Sequence, residues 1–248
     1  MYLKTDGLVL RQVDYRDADQ ILTILTPDYG KLTVKAQGVR SRRSQIKSGC
    51  QVLTYSEFTL LERQGRYIIK EAVPKQMFLP LRTDLELLSL ASYFAQVSEA
   101  ISQEDAPNPR LLATTLNCVY MLCQKTRPRE LVKAVFELRM ACLAGYEPML
   151  DGCISCGETA PQWFDITSGC LYCQSCRPAG GMGICMPIPV AALAAMRYLI
   201  VCPDKRLFSF SIPEEALTAL GQLSEAYLCT QLEHSFSSLD FYKSLLLT

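Results

Sequence analysis

Cysteines are the residues in this chain best placed to do chemistry. Cys153-Ile-Ser-Cys156 is followed after sixteen residues by Cys173-Gln-Ser-Cys176, the spacing of two knuckles that set four thiolates around one tetrahedral zinc ion. Each C-x2-C turn brings two sulfurs to the same ion, and Gly157 after the second cysteine supplies the permissive backbone such a turn often needs. A second register competes, because Cys170-Leu-Tyr-Cys173 is also C-x2-C. Ser168-Gly169 reads as a turn leading into a short strand at Cys170, which favours Cys153, Cys156, Cys173 and Cys176 as the ligands of one structural Zn2+ per chain. Four thiolates complete the coordination sphere and leave no position for a reacting water.

The remaining chemistry-bearing types exclude most enzyme classes. The chain has one histidine, His234, far from the cysteines and close to the end of a helical stretch; a zinc deaminase needs an H-x-E beside its cysteines, and most nucleophile–base triads need a placed imidazole. No G-x4-G-K-[ST] loop is present, so an ATP motor is not expected. Asp14, Asp17 and Asp19 cluster, as the carboxylates of a metal-dependent nuclease would, but a solvated turn between two strands explains them more simply. The expectation is a protein that is not an enzyme.

Positive charge is the second signal. On the run Lys31–Gln37, Leu32, Val34 and Ala36 alternate with Lys31, Thr33, Lys35 and Gln37, a strand with one core face and one basic face. The basic face continues past Gly38 into Arg40, Arg42, Arg43 and Lys47, a strip running into a mobile loop. Lysine and arginine contacts to phosphate supply most non-specific nucleic-acid affinity, so Lys31, Lys35, Arg40, Arg42, Arg43 and Lys47 are the expected nucleic-acid contacts. Tyr2, Tyr15, Tyr29, Tyr55 and Tyr67 are available to stack bases or to pack beside the core. The whole chain is formally neutral, yet residues 1–80 carry 13 Lys and Arg against 8 Asp and Glu, and residues 81–248 carry 12 against 17. A basic module beside an acidic remainder points to an anionic partner for the first and a protein partner for the second.

The elements that must position these groups follow from periodicity. Five strand-like runs, Leu3–Val13, Gln20–Thr26, Lys31–Gln37, Gln51–Glu62 and Arg66–Lys75, fill the first 75 residues. Pro27-Asp28-Tyr29-Gly30 and Gln64-Gly65 supply hairpin turns, and a long connection, Gly38–Gly49, precedes the fourth run. This pattern suits a five-stranded OB-type barrel, with an SH3-like barrel or small sandwich as the alternative. From Pro80 the period becomes helical over Leu81–Ile101, Pro109–Thr126, Pro128–Leu143, Val190–Val201, Pro213–Leu232 and Leu239–Leu247. Thr83 or Asp84 serves as an N-cap, Gly145 as a C-terminal stop, and Ser211 with Glu214 as a capping box. The expected class is α+β: an OB-type nucleic-acid-binding domain at 1–79, and a helical bundle at 80–149 and 187–248 interrupted by a four-cysteine zinc finger at 150–186. The apolar stretch Val190–Val201 is too short to span a membrane and is interrupted by Arg197, and the start lacks the apolar core of a signal peptide, so a cytoplasmic, nucleoid-associated protein with reduced thiols is expected. Cys50, Cys118, Cys123, Cys142, Cys202 and Cys229 then read as small buried hydrophobes.

Two separated stretches resemble a known family. Tyr15–Arg40, YRDADQILTILTPDYGKLTVKAQGVR, is similar to the N-terminal barrel of the RecO family of bacterial recombination mediators, including the hairpin and the Gly-x-Arg that ends the third strand. Phe136–Gly157, FELRMACLAGYEPMLDGCISCG, is similar to the family's helix leading through Gly and Pro into its zinc finger. Cys170 departs from the pattern, since the family usually has a second glycine there. The resemblance implies binding of single- and double-stranded DNA, annealing of complementary strands, and work with RecR to load RecA onto DNA coated by single-strand-binding protein, without nucleotide hydrolysis. It also implies a structural finger and a helical docking surface, where the acidic tail of the single-strand-binding protein would need local cations: Arg127, Arg129, Lys133 or Arg139, the last equally suited to a structural ion pair. A zinc-finger interaction module with incidental DNA contact, and a metal-dependent nuclease, are the alternatives.

Overall fold

The computed structural model describes residues 1–178 and 183–247; residues 179–182, within the expected finger, lie outside the described residues. Five strands, β1 (Tyr2–Tyr15), β2 (Asp19–Thr26), β3 (Gly30–Ala36), β4 (Tyr55–Arg63) and β5 (Arg66–Gln76), form a closed barrel in the order β1-β2-β3-β5-β4. All neighbours are antiparallel except β3 and β5, which pair in parallel through Val34 with Tyr67 and Lys35 with Ile68. Closure removes the free edges that would otherwise template aggregation. Alternation supplies the core: Leu22, Ile24, Leu32, Val34, Phe58 and Leu60 point inward and are buried.

Both hairpins form where the turn chemistry places them. Thr26 faces Gly30 across the first, and the Thr26 hydroxyl donates to Gly30 O at 2.9 Å while accepting from the Tyr29 amide at 3.1 Å. Gly30 has φ +64°, and a Cβ there would lie 2.5 Å from the carbonyl oxygens of Gln103 and Ala106, so no other residue fits. The second hairpin closes with Gln64 and Gly65 both at positive φ, the primed turn that matches strand twist.

The segment 37–54 is not the mobile loop that its charge suggests. Arg40 N donates to Ala18 O and Leu53 N to Val9 O, Gly38 N donates to an Asp19 carboxylate oxygen at 2.8 Å, and Val39, Cys50 and Leu53 are buried. Apolar residues spaced along the segment fold it back onto the barrel. The expected fourth strand, Gln51–Glu62, starts only at Tyr55 for the same reason.

The chain divides into two compact units, Met1–Cys123 with Phe236–Thr248, and Gln124–Ser235. In the first unit, α1 (Leu85–Ile101) packs on β1 and β2 and against α6 (Ser237–Leu245), and α2 (Pro109–Gln124) buries Leu111, Val119 and Leu122. Asp84 caps α1 by accepting from Leu87 N at 3.1 Å. The face that α1 buries is Leu87, Leu90, Ala91 and Phe94, while Leu85 is exposed. In the second unit, α3 (Arg129–Leu143) packs against α4 (Val190–Val201) and α5 (Glu214–Gln231). Between α3 and α4 lies a small sheet, β6 (Trp163–Asp165), β7 (Cys170–Tyr172) and β8 (Cys185–Pro187), in the order β7-β6-β8. Gly145, at φ +93°, ends α3 as expected, with Tyr146 N bonded back to Ala141 O. The capping box at Ser211 does not form: Pro213, two residues further on, occupies the N-cap of α5 and has no side-chain oxygen to accept from the first turn. Among the described residues no helix is long and apolar enough to cross a membrane.

Candidate nucleic-acid interface and metal centre

The outer face of β3 is part of a groove of about 720 Å³. Its floor is Thr33, Lys35 and Gln37; one wall is Tyr15 at the end of β1, Arg16 in the turn after it and Ile21 in β2, and the other is Arg63, Gln64, Gly65 and Arg66 from the β4–β5 hairpin, with Tyr67 beside them. This is the face, between the first and last hairpin loops, with which OB barrels hold oligonucleotides. Among the described residues four cations line the groove and no carboxylate does. Arg16 and Lys35 both lie over the Tyr15 ring, at 5.1 Å and 5.2 Å, which orients the ring as a platform. Arg16, Arg63 and Arg66 are exposed. The Tyr67 phenol is pushed above its ordinary range, first by burial and then by the charges of Glu62 and Asp105, so it stays neutral and able to stack or donate.

The basic face of β3 is less free than its alternation implies. Lys35 Nζ is 2.8 Å from Asp19 Oδ2, and that lysine, together with the Gly38 amide, holds the Asp19 carboxyl below the usual carboxylate range. Lys31 Nζ donates to Glu99 O at 3.1 Å and is not part of the groove lining. Arg40 pairs with Asp14 at 3.3 Å and lines a different hollow with Lys47. Arg42 and Arg43 are exposed on the 37–54 segment. Asp14, Asp17 and Asp19 do not converge on a cation position: among the described residues the only potential metal cluster is made of cysteines.

Sequence reasoning missed Arg16, Arg63 and Arg66. A signal was present, since Arg63-Gln64-Gly65-Arg66 is a tight turn flanked by arginines. The link to Lys35 arises only because β5 lies parallel to β3, a pairing between residues some thirty positions apart.

In the second unit the four cysteines expected as ligands lie together, every Sγ within 4.8 Å of the others. Cys156 and Cys173 sulfurs are 3.7 Å apart; a tetrahedron with bonds of about 2.3 Å has edges of about 3.8 Å, so the cluster fits a zinc-sized ion. All twelve thiols are free of disulfides. Backbone amides shape both knuckles: Gly157 N donates to Cys153 O at 2.8 Å, and Cys176 N and Arg177 N donate to Cys173 O. Amides around the Cys153 sulfur, led by that of Cys173, pull its thiol down to about 6. Cys170 stands apart in β7, buried, with Ser168 Oγ 2.8 Å from its sulfur. Arg177, next to Cys176, stacks on Trp163 at 3.6 Å, and Arg197 of α4 donates to Leu150 O at 2.6 Å and Asp151 O at 3.1 Å, tying the finger's entry to the helix.

Of the four cations considered for tail docking, Arg127, Lys133 and Arg139 are engaged inside this unit, while Arg129 makes a long, open pair. Arg127 donates to Phe208 O at 2.7 Å and Arg129 lies 3.9 Å from Glu130. Lys133 is buried between Glu137 at 2.8 Å and Glu225 at 2.7 Å. Arg139, 3% exposed, donates to Leu199 O at 3.0 Å and pairs with Asp204, the structural role open to it from sequence. Burial between partners explains why Lys133 and Arg139 offer no charge to an incoming tail.

Comparison with known proteins follows this layout. Residues 1–78 match the model of the recombination protein O N-terminal domain, and residues 82–240 that of its C-terminal domain. The chain belongs to the RecO family. A DNA repair protein RecO of Acetivibrio thermocellus is 33% identical over 246 residues, covering 98% of this chain and 97% of that one. One from Alkaliphilus metalliredigens is 28% identical over 99% of this chain and 100% of its own length, and one from Roseiflexus is 29% identical over 96% and 84%. The closed barrel at the N-terminus, the helices after it and the cysteine cluster that can hold a metal ion agree with the fold expected from sequence.

Proposed function

We propose that the barrel groove binds single-stranded DNA by its phosphates, and that the chain acts in DNA repair and recombination as a strand-annealing mediator. Membership of a family whose relatives are named DNA repair proteins supports the role. The observation that carries the binding reading is the groove itself: Arg16, Lys35, Arg63 and Arg66 around Tyr15 and Tyr67, without a carboxylate in its lining. Cations neutralise the backbone and carry no sequence preference, while aromatic faces accept any base. An annealing protein needs that combination, because phosphate repulsion must be removed while base edges stay free to pair. Arg42 and Arg43, exposed on the neighbouring segment, extend the basic surface, and duplex DNA is held by the same phosphate contacts.

No group in the groove is placed as a nucleophile or base, so the proposal involves no covalent chemistry. The function includes handing DNA coated by single-strand-binding protein to RecA together with RecR; the acidic second half of the chain, with 17 Asp and Glu against 12 Lys and Arg from residue 81 on, is the region proposed to meet protein partners. Cys153, Cys156, Cys173 and Cys176 hold one Zn2+, which when bound cross-links the two knuckles and supplies folding energy.

The test is equilibrium binding of fluorescein-labelled oligothymidine followed by anisotropy. Wild type should bind, and Arg63→Ala/Arg66→Ala should bind about tenfold or more weakly at 0.1 M salt, as expected on losing two phosphate contacts. Equal affinity of the two proteins would remove the groove from the mechanism. Failure of wild type to bind at all would leave an interaction module built around the finger.

A further inference from the structure

The barrel carries a second polar hollow, of about 440 Å³, lined by Gln12, Gln20, Arg40, Lys47, Gln51 and Arg82, with Cys50 among its apolar lining. It lies across the β1–β2 ribbon from the groove. Gln20 lines the hollow and Ile21 lines the groove, and adjacent residues of a strand point to opposite faces. Gln12 and Tyr15, three apart on β1, divide in the same way. The 37–54 segment and the turn after β5 close the far side.

Three cations converge on this hollow. Arg82 is fixed by donating to Val52 O. Arg40 pairs with Asp14 at 3.3 Å, with 44% and 61% of the two side chains exposed; an ion pair so open to water is weak enough to be exchanged for a phosphate. Lys47 is exposed. The Cys50 thiol is pushed up to about 12 by burial, so the hollow offers no nucleophile. Unlike the groove, its lining contains no aromatic ring. Gln20 Nε2 donates to Asp14 Oδ1 at 2.9 Å, so the three cations, with the amides of Gln12 and Gln51 beside them and no stacking platform, suit phosphate groups, not bases.

We propose that this hollow is a second phosphate-binding site that holds the backbone of a second nucleic-acid strand while the groove holds the first. The proposal rests on the groove being a strand-binding site. Two strands would then lie on the two faces of one two-stranded ribbon, separated by roughly the 10 Å of a packed sheet layer. Positive charge on both sides lowers their repulsion, and the second strand, held only by its backbone, keeps its base edges free.

The experiment uses donor- and acceptor-labelled oligothymidines, which cannot pair with each other, and reads energy transfer as two strands come to share one protein, with the mass of the complex measured in the same mixture. Wild type should bind two strands per chain. Arg40→Gln/Lys47→Gln, both at exposed side chains, should keep first-strand affinity within about twofold, lose second-strand binding by tenfold or more, and slow annealing of complementary strands to a similar degree. One strand per chain at saturation of wild type, or a double variant that still takes up the second strand, would overturn the proposal and leave the groove reading intact. A double variant losing both strands equally would mean one continuous track, which also overturns it. If Arg63→Ala/Arg66→Ala bound the first strand as well as wild type does, the groove reading and the two-site arrangement would fall together.

Discussion

Asp19→Asn should strengthen DNA binding, an outcome that damage to the fold cannot imitate. Asp19 holds Lys35 at 2.8 Å, with the two side chains 18% and 23% exposed, so in the native protein the groove offers three exposed cations, Arg16, Arg63 and Arg66, of which Arg16 also feels the Asp19 charge at longer range, and a fourth held in an ion pair. For single strands the slope of log K against log salt is about −0.7 per phosphate neutralised. Three contacts predict a slope of about −2.1, and four about −2.8. Between 1 M and 0.1 M salt the extra contact is worth a factor of about 5 in affinity, so the variant should bind oligothymidine about fivefold more tightly at 0.1 M and converge with wild type as salt rises. Asn retains a side-chain oxygen to accept from the Gly38 amide, the bond that native Asp19 makes at 2.8 Å, so the barrel should melt within a few degrees of wild type. The assay is anisotropy at five or more salt concentrations, with circular dichroism as the control. Unchanged slope and affinity in a folded variant would refute the placement of Lys35 on the DNA path. Acid reproduces the substitution late: because Lys35 and the Gly38 amide depress the Asp19 carboxyl, its contribution to barrel stability is fully present above the ordinary carboxylate pKa. That contribution is lost only as pH falls through the depressed value.

The other predictions concern the second unit. Cys173→Ser should lower bound zinc per chain, measured by elemental analysis, and shift the emission of Trp163, because Arg177 stacks on that ring directly after the Cys176 ligand; Cys170→Ser should leave zinc content unchanged, and equal losses in the two variants would place Cys170 in the metal site. Lys133→Met takes the ammonium away from Glu137, which is fully buried, already pushed toward protonation by desolvation and still accepting from the Ser224 hydroxyl, so thermal unfolding should show a loss of about 3–5 kcal/mol, or about 10–20 °C for a unit of this size. Lys133→Met/Glu137→Leu should recover most of that loss, and a Lys133→Met protein that melts like wild type would show that the pair contributes nothing.

Features legible in the sequence are those that short stretches of chain decide locally. Alternation along Lys31–Gln37 placed Leu32, Val34 and Ala36 in the core, Gln64-Gly65 specified a primed turn, Asp84 capped α1, and two C-x2-C knuckles sixteen residues apart selected the four sulfurs that meet. Each depends on side-chain period, backbone φ preference or ligand reach over a few residues, and those properties travel with the local sequence. Non-local packing decided which charges remain available. Lys35 and Asp19 are sixteen positions apart and neutralise each other because β2 pairs with β3, whereas Arg63 and Arg66 join the groove because β5 runs parallel to β3. Lys133 and Arg139 look like surface cations on a helical period, but partners from α5 and from the chain after α4 bury them. The charge of a side chain is written in its type; whether that charge faces solvent, a carboxylate or a ligand depends on contacts between distant segments, which no window of the sequence contains.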